Sequence, residues 1–86
     1  MERRSVDPRD ISWEQENPAY RVYFWDKESV TSHEFEVTDS TIDEVLSWTR
    51  SRATEEGWEY TLYVKVSDPE GDGLVRIDGL TGDPFA

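Results

Sequence analysis

Asp68, Glu70 and Asp72 stand at alternate positions and run directly into Gly73, the nearest this sequence comes to the spacing of a known chemistry. Oxygen ligands at the first, third and fifth places of a loop, with glycine at the sixth, make the first half of a calcium-binding loop. Leu74 offers a carbonyl at the seventh place and Val75 an apolar eighth. The twelfth place is Gly79, where such a loop needs a bidentate carboxylate, Glu70 is longer than the usual Asp or Asn, and Pro69 is atypical. The stretch therefore reads first as an acidic hairpin turn, which Pro and Gly explain by themselves. Weak calcium binding through Asp68, Glu70 and Asp72 is the lesser alternative, and no metal is assigned.

His33 is the single histidine. On a strand it shares a face with Phe35 and Val37, while Glu34 and Glu36 point the other way, so the three polar residues are not a ligand set. Glu34 and Glu36 together can pair across strands with Arg21 or Lys65. As two carboxylates for acid–base work they lack any accompanying sign of a pocket. No GxSxG or HExxH spacing is present, and no glycine run precedes a helix with a following lysine. The chain is read as a non-enzyme with no catalytic residue and no cofactor.

The elements that position these residues follow from periodicity. Residues 20–25 are aromatic and β-branched and follow a proline, which predicts a strand. Residues 26–29 form a turn, and 31–37 alternate as a half-buried strand, so the two make a hairpin. Thr41 and Glu44 have capping-box spacing, and Ile42, Val45, Leu46, Thr49 and Ala53 then share one stripe of a helix over 41–56, with Trp48 flanking it. Arg50 and Arg52 lie toward the negative end of that helix, and Gly57 stops it. Residues 58–66 alternate most cleanly, 67–73 read as a turn, and 74–78 close the sheet as a short strand. The order is β-β-α-β-β: a two-layer α+β domain with one helix packed on a four-stranded, mainly antiparallel sheet. Residues 1–19 read as a polar, partly disordered N-terminal arm anchored by Ile11 and Trp13, residues 20–80 as a single domain, and 81–86 as a tail in which Phe85 is an anchor.

One helix covers one face of a sheet, so the other face needs an explanation. Trp58, Tyr60, Leu62, Val64 and Val66 fix the register of the third strand under the helix, because a one-residue slip would turn all five outward. The first strand is apolar on both faces, so its phase is open; if Tyr20, Val22 and Phe24 face the helix, the outer face carries Tyr23, Trp25 and Tyr63 with Arg21 and Lys65 among them. Exposed aromatic patches mark binding sites, and interface cores favour Tyr, Trp and Arg. The arm folding back, a second copy of the chain, or a distinct protein partner are the three ways to cover this patch.

Composition sets the class of partner. Twenty acids against nine bases in 86 residues give a net charge of −11, although eleven residues are Trp, Tyr or Phe. A highly charged chain poor in aromatics stays disordered; this one has the aromatics to fold. The acid excess and scattered bases speak against a nucleic-acid partner, despite aromatics that resemble a base-stacking platform. No run approaches the ~20 apolar residues of a membrane span, no apolar segment marks residues 1–9 as a secretory signal, and no cysteine is present. A soluble, cytoplasmic protein is expected. The function expected is a non-enzymatic protein-interaction domain acting through the aromatic face, with a protein or a second copy (a homodimer) as partner. The alternative is an acidic immunity- or inhibitor-type protein that meets a basic partner.

Residues 20–25, 55–64 and 73–79 are similar to small acidic actinobacterial proteins of unassigned function. The resemblance spans roughly residues 20–84, and it implies neither an activity nor a functional residue.

Overall fold

The computed structural model describes residues 1–5 and 18–86, so most of the expected arm, including Ile11 and Trp13, lies outside the described residues. The elements are β1 (Tyr20–Asp26), β2 (Thr31–Val37), α1 (Ile42–Glu56), β3 (Glu59–Asp68) and β4 (Gly71–Gly79). They form the α+β arrangement expected from the sequence: one four-stranded sheet with one helix. The strand order, which periodicity does not encode, is β2-β1-β3-β4, with every neighbouring pair antiparallel. Two hairpins thus meet along a central β1–β3 seam. Among the described residues, no helix is long and apolar enough to cross a membrane.

Local chemistry explains where each element begins and ends. In the β1–β2 turn Asp26 Oδ1 accepts from the amides of Glu28 (3.1 Å) and Ser29 (3.2 Å), and the turn closes with Val30 at φ 52°. Thr41 caps α1: its hydroxyl accepts from the Glu44 amide while the Glu44 carboxylate accepts from the Thr41 amide. Gly57, at φ 71°, ends the helix in the left-handed conformation that glycine tolerates best. Arg50 and Arg52 fall short of the last turn, which contains no basic residue.

The helix covers β1 and β3. Val22, Phe24, Val45 and Leu62 are essentially fully buried between the layers, with Tyr20 and Ala53 beside them. Each such apolar side chain contributes about 1.5–3 kcal/mol of transfer free energy. Three expectations are corrected here. The stretch 67–73 is not all turn: the ladder continues through Ser67↔Asp72 and Asp68↔Gly71, leaving only Pro69 and Glu70 as the loop. Pro69 suits the first loop position, and Gly71 at φ 137° takes up the mismatch between that turn and the strand twist. Val66 is exposed rather than buried, because β1 pairs with β3 only as far as Tyr20↔Val64, so the β3–β4 hairpin overhangs the seam. Ile42, at the first helical position, is exposed as well.

A bulge in β4 decides which side two charged residues face. Leu62 pairs with Asp78, but the next residue, Tyr63, pairs with Arg76, leaving Ile77 as the extra residue. Without that shift Arg76 and Asp78 would share a face. With it, Asp78 lies on the helix side with Leu62, and Arg76 on the outer side with Tyr63.

Candidate functional site

The outer face is assembled from alternate residues of β1 and β3 in the register expected from the sequence. Arg21 lies opposite Tyr63, Tyr23 opposite Thr61, and Lys65 follows on the same face. The Tyr23 ring meets Tyr63 edge-on at 5.4 Å and Trp25 at 5.8 Å. The five residues singled out in the sequence (Tyr23, Trp25, Tyr63, Arg21, Lys65) therefore do share one surface. Glu36 accepts from Arg21 Nε at 3.0 Å and sits 3.7 Å from Lys65 Nζ; these two cations hold its carboxyl below the usual range, Arg21 most strongly.

Trp25 differs from the other four. It is only 4 % exposed. Its indole Nε1 donates to the buried Thr61 hydroxyl at 2.9 Å, and the tail residue Phe85 meets its ring at 5.9 Å and 90°. The tail thus supplies a cover that the helix cannot, while Tyr23, Tyr63, Arg21 and Lys65 remain half-exposed.

A second aromatic group, missed in the sequence, lies on the helix side. Phe24 is its hub, with Phe35, Trp48 and Trp58 centred 5.5–5.8 Å away. Phe35 and Trp48 touch each other at 5.5 Å and 86°, and His33 stacks on Trp58 at 4.5 Å and 21°. The Arg52 guanidinium stands 5.8 Å over the same indole. Because β2 is an edge strand and α1 lies over β1 and β3, this group is open at its rim: Phe35 is 40 % and Trp48 39 % exposed. A groove of about 510 Å³ runs between them and the start of α1, past Val37, Ser40 and Glu44. The sequence signal was present in the His33-Phe35-Val37 alternation and in Trp48 at the edge of the helical stripe, but joining the two required the strand order.

A third group ties α1 to β4. Tyr60 Oη donates to Asp78 Oδ2 at 2.6 Å, and Arg50 Nη2 donates to the same oxygen at 3.1 Å. Burial, then the bond to Asp78, raises the Tyr60 phenol above its ordinary value of 10.0; the same bond, chiefly, lowers the Asp78 carboxyl. A protonated phenol, an ionised carboxylate and a guanidinium in mutual contact form a compensated latch rather than an activated nucleophile. It borders a groove of about 510 Å³ that also touches Trp58, Gly79 and Leu80. Gly79 is required there: at φ 90° it passes so close to Tyr60 that a Cβ would sit 2.2 Å from the Tyr60 carbonyl oxygen.

The acids of the 68–72 stretch are engaged within their own hairpin. Asp68 Oδ1 accepts from the Glu70 amide at 2.8 Å, and Asp72 Oδ1 from the Ser67 hydroxyl at 2.7 Å, which lowers the Asp72 carboxyl. The ladder puts Asp68 and Asp72 on opposite faces, so their carboxylates diverge. Comparison with protein-family models, curated proteins and solved structures finds no match for this chain.

Proposed function

We propose that this chain is a non-enzymatic interaction domain that grips a protein partner on the ledge of Phe35 and Trp48. The observation that carries this reading is the exposure of those two large aromatics, 40 % and 39 %, in edge contact beside an open groove. They stand on regular elements and are backed by the buried Phe24, so they present a rigid surface that costs little entropy to dock against. Interface anchors are enriched in such aromatics. Glu44 lines the groove beside the ledge, and the net charge is −11. A partner with basic residues around an apolar contact is the complement, and opposite charge raises its rate of encounter. This joins the interaction-domain reading to the acidic inhibitor-type reading, in which the partner is basic.

A second reading keeps the contact on the outer face, where Tyr23 and Tyr63 stay half-exposed between Arg21 and Lys65. Affinity capture with two double variants separates them. Phe35→Ala with Trp48→Ala should weaken recovery of a bound protein by at least about thirtyfold, the loss expected for two central anchors. Tyr23→Ala with Tyr63→Ala should leave recovery unchanged. The reverse pattern moves the contact to the outer face, and recovery indifferent to both pairs sinks the proposal.

A further inference from the structure

The outer edge of β4 is the least expected surface of the molecule. Among the described residues nothing pairs with it, and residues 71–77 are all exposed, with Leu74 at 40 %, Val75 at 50 % and Ile77 at 41 %. A nine-residue edge strand that exposes Leu74, Val75 and Ile77 invites another strand. Bulges and charges normally blunt such an edge, yet the bulge here lies at one end, and Gly71 to Arg76 pair regularly with β3.

We propose that β4 pairs with β4 of a second copy, forming a continuous eight-stranded sheet about a two-fold axis at Leu74. The register follows from symmetry and charge. Two identical antiparallel strands are related by an axis normal to the sheet, so one residue must face itself. Centring on Val75 would set Gly73 against Ile77 and so draw the bulge into the ladder. Centring on Arg76 would set guanidinium against guanidinium. Centring on Leu74 uses only the regular stretch, and it places Asp72 of each copy opposite Arg76 of the other. Both residues lie on the outer face, Asp72 beside Lys65 and Arg76 opposite Tyr63. Leu74 meets Leu74 between the two ion pairs, while on the helix side Val75 faces Gly73, which has no side chain to crowd it. Opposite charges directly across an antiparallel pair stabilise it and like charges oppose it. Both helices then lie on the same face of the joined sheet, and the Phe35–Trp48 ledges are at its two far ends, so this contact is independent of the one proposed above.

Charge exchange tests the register. In sedimentation equilibrium at several concentrations the wild type should show a monomer–dimer equilibrium. Asp72→Arg or Arg76→Asp alone should each weaken the dimer at least about tenfold, since each variant sets like charges across the axis twice. Mixing these two single variants should restore association as a heterodimer, and the double exchange in one chain should restore the homodimer. Circular dichroism on each variant confirms that the exposed substitutions leave the fold intact. A wild type that stays monomeric at millimolar concentration overturns the proposal. So does a dimer that neither single variant weakens, or single variants that fail to associate when mixed.

Discussion

Phe24 and Trp25 are chain neighbours on β1, and each is the buried centre of an aromatic group on its own side of the sheet. The groups end differently. Around Trp25 the rim is closed by Phe85 of the tail, and the indole N–H is satisfied by Thr61. Around Phe24 the rim is Phe35 and Trp48, on β2 and α1, and stays open. A sheet face that no helix covers is thus not the more exposed one. What decides exposure is whether some other segment reaches the rim, and α1, which packs across β1 and β3, does not cover edge strand β2.

The largest effects should come from the two centres. Phe24→Ala should cost about 3–5 kcal/mol in denaturant unfolding and leave the domain marginal, because the side chain is fully enclosed. Phe35→Ala at the rim should cost about 1 kcal/mol or less, as expected for a partly exposed site. Equal costs would erase the distinction between centre and rim.

The two buried hydroxyls sharpen it further. Thr61, on the outer side, accepts from Trp25; Thr49, on the helix side, has no hydrogen-bond partner among the described residues. Thr61→Val should therefore destabilise by about 1–3 kcal/mol, by orphaning the indole N–H. Thr49→Val should stabilise by about 1 kcal/mol, by removing an unpaired buried oxygen. Chemical denaturation of both variants gives the signs, and a shared sign would show that the sides do not differ in polar satisfaction. The tail comes next: Phe85→Ala should cost about 1 kcal/mol, the scale of an aromatic edge contact, and should red-shift Trp25 emission.

The smallest effect discriminates by pH. The Tyr60 phenol, on the helix side, is raised above 10.0 in the folded chain. A raised pKa contributes stability that is complete below the unfolded value and is lost as pH rises through the folded one. Alkali should therefore release the latch between α1 and β4 only at a pH above 10.0, seen by NMR as shifts confined at first to the helix-side residues around Tyr60 and Asp78. Acid does not discriminate, since Glu36 on the outer side and Glu44 and Asp78 on the helix side are all lowered.

Much of this was legible in the residues. The alternation of 58–66 placed Leu62 inward and Tyr63 outward, because inside and outside are a period-two property of a strand, whereas β1, apolar on both faces, left open which of its faces meets the helix. The Thr41–Glu44 cap was legible for the same reason: it is a local spacing. Long-range placement was not. Nothing near Trp48 says that Phe35 lies beside it, nothing near Trp25 says that the tail returns to it, and the Arg50–Tyr60–Asp78 latch depends on a bulge that periodicity does not register. The 67–73 turn was overread because Pro and Gly report that the chain reverses, not how few residues the reversal takes.

The strand order has a kinetic consequence. β2 is next to β1 and β4 next to β3, so both outer ladders join strands that are consecutive or nearly so in the chain. Such hairpins form in about 1–10 μs, but alone in water each is marginal. The β1–β3 seam pairs Tyr20 with Val64 and Trp25 with Glu59 across the whole of β2 and α1. Its closure entropy must be met before the core between Phe24 and Leu62 repays it. The β1–β3 seam is thus the contact with the greatest closure cost in this fold, and substitutions there are expected to slow refolding in stopped-flow measurements more than substitutions at the outer edges.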